Sequence, residues 1–278
     1  MKDKLEDQNS YNKDKLEDQN SYNNDKLEEQ NRYNNSSINK IKEYKYNPDL
    51  LKIVGSDSFP SYLQSPYIYF ENFLIQHTDF NTVHLDLCCG DGIHSFTCAK
   101  NGAKTFAVDY SENSIEIAKL RSKSLNINTD FIVCDSENLP FQDNHFDLIT
   151  IVGSLSYLDL DKVILEIKRV LKTNGMLICL DSYNHNFFYR FNRNIRYILG
   201  NRSYSTLKRM PNSYTINKFK EYFKILNIEF FGTLIFLVPL MRLFFSDHLI
   251  KKFIDLFDKK YKIFNKYAFK IVFILKKI

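Results

Sequence analysis

From about residue 58 onward, short apolar runs alternate with segments whose apolar residues recur at helical spacing. Ser65-Pro66 opens an expected helix through Ile75, with proline in the first turn, where its missing N–H leaves no bond unmade. Residues 83–88 read as a strand running into Cys89-Gly90-Asp91-Gly92, with a helix following to about Asn101. Residues 104–108 form a second expected strand ending at Asp109. Ser111 then caps a helix whose Ile115, Ile117, Ala118 and Leu120 share one face. Residues 131–134, 146–152 and 175–180 add three more strands, with a helix over 158–171 before the last of them. Near-continuous apolar strands separated by helices predict a parallel sheet covered on both faces.

The two flanks read differently. Residues 2–34 repeat with period 11: KDKLEDQNSYN, KDKLEDQNSYN, NDKLEEQNRYN. Each copy holds two sizeable apolar residues, such as Leu5 and Tyr11, then Leu16 and Tyr22, which is a thin seam for a coiled coil. Residues 1–57 are therefore expected to be a solvated, disordered and at most transiently helical tail and linker. Residues 58–181 are the expected α/β domain, and 182–278 a lid with the C-terminal completion of that domain. A helix after Thr215 leads to an expected strand over 228–236, and a last strand over 268–275. Between them Phe244, Leu249, Ile250, Phe253, Ile254, Phe257 and Phe264 recur at helical spacing beside many lysines. That stripe either faces a core or lies on an anionic membrane surface.

Charge sharpens this division. The chain has 278 residues and a formal charge of +5. Residues 1–184 carry 19 Lys/Arg against 28 Asp/Glu, and residues 185–278 carry 19 against 5. The basic part points to an anionic partner. The five cysteines are odd in number and lack CxxC spacing, so neither a disulfide framework nor a metal site is expected, and a reducing cytoplasm fits best. The longest uncharged apolar stretch, 12 residues over 230–241, is short of the roughly 20 a spanning helix needs. Peripheral membrane contact remains compatible with the pattern.

Acids recur at the carboxyl ends of successive strands: Asp86, Asp109 and Asp135. Ligands of open α/β sheets bind outside those ends, and Asp109 stands where an acid grips a ribose diol. Gly90 and Gly92 permit close approach of a ligand to the backbone. Asp86 and Asp91 would repel a pyrophosphate, and the third glycine of a dinucleotide fingerprint is Ser95. A cationic nucleoside fits better than NAD. Cys88 and Cys89 have no activating base nearby in sequence and read as small buried side chains.

HLDLCCGDG at 84–92 resembles the first motif of class I S-adenosylmethionine (SAM) methyltransferases, with Cys88 in place of its first glycine. AVDYSENSIEIAK at 107–119 is similar to the second motif, FIVCDSENLPF at 131–141 with FDLI at 146–149 to the third and fourth, and LKTNG at 171–175 to the turn before strand five. The likeness spans about residues 66–181 and implies a Rossmann-like fold. That fold is α/β, with a mostly parallel seven-stranded sheet, helices on both faces, an antiparallel final strand and a helical lid. It implies SAM as cofactor, with Asp86 facing the methionine ammonium and Gly90 and Gly92 lining the methionine beside Cys88. It further places Asp109 on the ribose, Tyr110 on adenine, Asp135 and Ser136 at the adenine edge, and Gly153 beneath the sulfonium.

Methyl transfer from a sulfonium is an in-line displacement that mainly requires alignment in a dry site. After strand four, Tyr157 is the candidate to orient an acceptor, and it reads equally well as a packing aromatic. Residues 182–213 hold Arg190, Arg193, Arg196, Arg202, Lys208 and Arg209, no acid, and many aromatics. They read either as a lid in which Arg190 and Arg193 grip an anionic acceptor beside His185 as base, or as a solvated helical cap. Single-stranded nucleic acid ranks behind a small-molecule acceptor, because no recognised binding module accompanies the basic residues. Part of this stretch resembles methyltransferases of surface-polysaccharide loci, which implies a glycan-type acceptor and O- or N-methylation. The rival readings are an NAD(P)-dependent sugar epimerase or reductase, and a non-catalytic adaptor on the same fold.

Overall fold

The computed structural model describes residues 2–198 and 204–278. In chain order the helices are α1 (Lys2–Tyr46), α2 (Ser65–His77), α3 (Phe96–Lys100), α4 (Glu112–Leu125), α5 (Leu160–Val170), α6 (Phe187–Ile198), α7 (Tyr204–Lys208), α8 (Ser213–Lys220), α9 (Val238–Met241) and α10 (Asp247–Lys260). The strands are β1 (Val83–Leu87), β2 (Lys104–Asp109), β3 (Asp130–Val133), β4 (Phe146–Val152), β5 (Leu171–Ser182), β6 (Lys224–Phe231) and β7 (Lys270–Lys276). They form one sheet in the order β3-β2-β1-β4-β5-β7-β6. Strands β1 to β5 pair in parallel, and β7 runs antiparallel between β5 and β6.

The period-2 alternation of strand side chains fills both faces. On β7, Ile271, Phe273 and Leu275 pack with Val163, Ile164 and Ile167 of α5 and Ile216 and Phe219 of α8. Val272 and Ile274 point the other way, towards Tyr67, Phe70 and Leu74 of α2. Ser111 caps α4 by accepting from Ser114 N, as its place in the sequence suggests. The strand order reverses between β1 and β4, which opens a crevice at the carboxyl ends of β1, β2 and β4.

Two segments depart from the sequence expectation. Residues 2–46, expected to be disordered, form one continuous helix, and its second half is fastened to the domain by polar contacts. Ser111 Oγ donates to Asn34 Oδ1 (2.6 Å), Ser37 and Ser114 hydroxyls lie 3.1 Å apart, and Lys40 pairs with Asp91 at 2.8 Å. The linker is held too. The buried Arg121 guanidinium donates to the carbonyls of Leu50, Leu51 and Ile53 and to Tyr44 Oη. Composition missed this because, apart from Ile41 and Tyr44 packed with Leu50, Leu51 and Ile117 near its end, the helix docks through polar side chains rather than an apolar stripe. The second departure is β6, which runs over 224–231 and stops where Gly232 turns with φ +76° and both Gly232 N and Thr233 N donate to Asp258.

Candidate active site

The site grows from the loop after β1. Cys88, Gly90 and Gly92 all take left-handed backbone, with φ of 57°, 56° and 77°. For Cys88 this costs about 1–2 kcal/mol that a glycine would not incur. Its Sγ lies 3.1 Å from Ser136 Oγ, and burial pushes the thiol up to about 12, so it stays protonated and is no nucleophile. The two glycines do different work. At Gly90 a Cβ would meet nothing within 4 Å, whereas at Gly92 it would stand 2.9 Å from Ala118 Cβ. Gly90 faces open space and lines the chamber, whereas Gly92 lets α4 pack against the loop and does not line it.

Asp86 lies beneath the loop rather than on the chamber wall. Its two oxygens accept from Ser95 Oγ (2.6 Å) and Thr150 Oγ1 (2.9 Å), and burial pushes its carboxyl up to about 6. Asp109 closes β2, with Oδ2 accepting from Gly90 N (2.8 Å) and Oδ1 from Ser111 N (2.9 Å). One carboxylate thus ties the β1 loop to the start of α4 and keeps lone pairs for a ligand. Gly153, with φ +70°, ends β4, and a Cβ there would again meet nothing within 4 Å. These glycines leave open backbone on two sides of one chamber.

That chamber has a volume of about 250 Å³. Of the residues that the sequence singles out for a cofactor, Cys88, Gly90, Asp109, Tyr110, Asp135, Ser136 and Gly153 line it, and so does Tyr157. His185 and Arg190 do not. His185 is exposed and stacks on Tyr183 at 5.4 Å, and Arg190 is exposed on α6. Arg193 is buried and donates to Tyr183 O and Asn184 Oδ1, so it fastens the start of the lid rather than reaching the chamber. The side chain of Arg196 and the whole of Arg202 fall outside the described residues. The lid's contribution is Arg209, whose Nε donates to Ser156 O at 3.2 Å.

Other lining residues were invisible as site residues in the sequence. The third repeat copy supplies Asp25, Lys26, Glu29, Gln30 and Tyr33 as one wall. Lys26 Nζ sits 2.7 and 2.8 Å from the two oxygens of Asp135, 3.3 Å from Glu137, and 5.4 Å from the centre of the Tyr110 ring. Gln30 Nε2 donates to Tyr110 O (2.8 Å), Tyr33 meets the Tyr157 ring edge-on at 5.7 Å, and Tyr22 donates to Glu137. The recurrence of Asp, Lys, Gln and Tyr at fixed places in each copy was the available signal. His94 also lines the chamber, stacked parallel to Tyr67 at 5.2 Å. Burial pushes its imidazole down to about 4, so it is neutral at pH 7, and its Nδ1 has no hydrogen-bond partner among the described residues.

This arrangement combines the carboxylates of Asp91, Asp109 and Asp135 with open backbone at Gly90 and Gly153 and the rings of Tyr33, Tyr110 and Tyr157. It fits SAM: Asp109 at the β2 end suits a ligand bearing ammonium and sulfonium charge, and Gly90 and Gly153 leave space in the same chamber. Residues 85–179 match the family profile described as methyltransferase domain. Over this stretch the chain is therefore similar to class I, SAM-dependent methyltransferases. It is 36% identical over 102 residues to the demethylmenaquinone methyltransferase of Staphylococcus saprophyticus, covering 35% of this chain and 43% of that one. It is also 36% identical over 111 residues to the Staphylococcus haemolyticus protein of the same name, covering 38% and 46%. The chain thus spans less than half the length of these relatives.

Solved structures extend the likeness in fold. Geranyl diphosphate C-methyltransferase from Streptomyces coelicolor, bound to S-adenosylhomocysteine, matches with a TM-score of 0.56 at 16% identity, covering 76% of this chain and 79% of that one. The [4+2]-cyclase SpnF matches with a TM-score of 0.53 at 19% identity, covering 75% and 80%. One fold therefore carries more than one named activity, and the reaction has to be argued from the site.

Proposed function

We propose that this protein transfers a methyl group from SAM to an oxygen or nitrogen of a small-molecule acceptor. The observation that carries this reading is the continuity of one chamber. Asp109 and the open backbone of Gly90 line the same chamber as Gly153, Tyr157, Tyr33, His94 and Arg209. When bound, SAM supplies an electrophilic methyl on a sulfonium. The chain's own residues hold, align and exclude water. Asp109 accepts from the ribose hydroxyls, and Gly153 leaves room beside the reacting centre. Tyr33 and Tyr157 offer flat apolar surface, and Arg209 brings a guanidinium that suits an anionic acceptor group, such as a phosphorylated or carboxylated sugar. Alignment dominates the rate.

The NAD(P) alternative is disfavoured because Ser95, at the third fingerprint position, gives its hydroxyl to Asp86, and because the carboxylates of Asp91 and Asp109 line the chamber where a phosphate would lie. Calorimetric titration with SAM and with NADH separates the readings. SAM is expected to bind and NADH not to; binding of NADH alone overturns the proposal. Transfer of label from methyl-labelled SAM onto acidic sugars, against neutral sugars and amines, then tests the acceptor class.

A further inference from the structure

The exposed apolar residues of the C-terminal third are gathered rather than scattered. On α10, Ile250 and Ile254 are buried against the domain, while Leu249 (52% exposed), Phe253 (52%) and Leu256 (67%) form a second stripe on the outer side. The turn before it adds Leu243 (72%), Phe244 (75%) and Phe245 (53%). Helix α6 carries another outward stripe, Phe187, Phe191, Ile195 and Ile198, at spacings of four, four and three. Tyr189 of α6 donates to Gly232 O and accepts from Phe236 N, and Asn186 donates to Tyr267 O, so α6 is tied to the segments flanking α9 and α10. Single exposed apolar residues need no explanation, but a run of large ones does.

The charges on this face are one-sided. The acids of α10 are engaged within the protein: Asp247 with Arg242, Asp255 with Lys251 and Ser65, and Asp258 with the amides of Gly232 and Thr233. Lys252, Lys259 and Lys260 are exposed and make no salt bridge among the described residues. A second copy is a poor occupant, because a two-fold contact sets the patch against itself and would oppose unpaired lysines. A surface that is negative outside and apolar within matches both components.

We propose that the outer face of α10, with the turn before it and the stripe of α6, docks peripherally on an anionic phospholipid membrane. Its leucines and phenylalanines enter the boundary between headgroups and acyl chains, and Lys252, Lys259 and Lys260 meet the negative headgroups. Among the described residues no helix is long and apolar enough to cross a membrane, so the contact lies in the interface plane. The inference does not depend on the methyl-transfer reading.

The test is co-sedimentation of the full chain with vesicles of phosphatidylcholine alone and of phosphatidylcholine with phosphatidylglycerol, at low and high salt. Binding to the anionic vesicles is expected, with part of it surviving high salt. Removing three charges in Lys252→Gln/Lys259→Gln/Lys260→Gln should weaken binding about a hundredfold, roughly fivefold per lysine. Phe244→Ser/Phe253→Ser/Leu256→Ser should abolish the salt-resistant part. All six positions are exposed, so both variants should keep the parent melting temperature and SAM affinity. Failure to bind anionic vesicles overturns the proposal. So does binding that the apolar variant leaves unchanged, or a concentration-dependent dimer in sedimentation velocity that the same variant dissolves.

Discussion

Because α1 is a continuous helix built from near-identical copies, one deletion can act as three substitutions. Removing residues 24–34 moves every upstream residue eleven places along the helix. Lys15 takes the place of Lys26, Gln19 that of Gln30, Tyr22 that of Tyr33 and Tyr11 that of Tyr22. Only three places change residue: Asn24 becomes Lys, Glu29 becomes Asp and Arg32 becomes Ser. The main loss is the Arg32 Nη2 bond to Tyr157 Oη at 3.3 Å together with its pairing to Glu29. A half-exposed group of this kind contributes up to about 1 kcal/mol. Removing residues 25–31 instead takes out two helical turns and keeps the same face, yet it puts Gln19 at the place of Lys26, Asn23 at Gln30 and Lys15 at Tyr22. That variant loses the doubly bonded Lys26–Asp135 contact and leaves Glu137 without Lys26 and Tyr22. Charge-assisted bonds contribute about 1.5–3 kcal/mol each, so the seating of α1 should weaken by about 3 kcal/mol. Native-state hydrogen exchange over residues 22–46 reads this directly. Protection should fall by about 150-fold in the seven-residue deletion and by no more than about fivefold in the eleven-residue one. Equal loss in both would show that the repeat side chains do not seat the helix.

Three further outcomes follow from the site. Cys88→Gly should stabilise the protein by about 1 kcal/mol in urea unfolding by relieving a left-handed cysteine, and any destabilisation would count against strain at φ 57°. Gly90→Ala and Gly92→Ala should separate: the first adds a methyl to open space and lowers SAM affinity in calorimetry, and the second drives a Cβ against Ala118 and costs about 2 kcal/mol of stability with a smaller direct effect on binding. His84 is fully buried between Thr105 and Thr150, and desolvation pushes its imidazole down to about 3. Its folded value lies below the unfolded value of about 6.5, so the unfolded state binds more protons and stability falls as pH drops from 6.5 towards 3. The stability difference between pH 6.5 and pH 4 should therefore shrink by about 3 kcal/mol in His84→Gln, measured by urea unfolding at both pH values.

The strands, and Asp109 and Asp135 among the acids that line the chamber, were legible because both follow short-range rules. Apolar runs such as Leu148 to Val152 mark a strand buried on both faces, and an acid closing a strand, as Asp109 closes β2, marks the ligand end of a parallel sheet. What hid was orientation. Arg190, Arg193 and Arg209 are chemically alike in the sequence, yet Arg193 is spent on Asn184 and the Tyr183 carbonyl, and Arg209 reaches the chamber. Glycines 90 and 92 differ only in what stands opposite, which is space for one and Ala118 for the other. Helix α1 was hidden most deeply. Within the repeat Leu27 is exposed while Lys26 and Gln30 make the contacts, and apolar packing is confined to Ile41 and Tyr44 beyond it, so no apolar stripe marks the repeat.

The place of β7 in the sheet bears on how the protein is made. It follows β6 in the chain yet lies between β5 and β6, so β6 has no partner in the sheet until β7 exists. Between Ser182 and Lys270 the ribosome adds roughly 90 residues, about 5–20 s of synthesis, during which β5 presents an open edge. An unpaired edge next to a basic, aromatic-rich segment is where a nascent chain is most exposed to mispairing. Chaperone demand should therefore rise after β5 emerges and end abruptly with β7, even though five of the seven strands are already made once β5 has emerged.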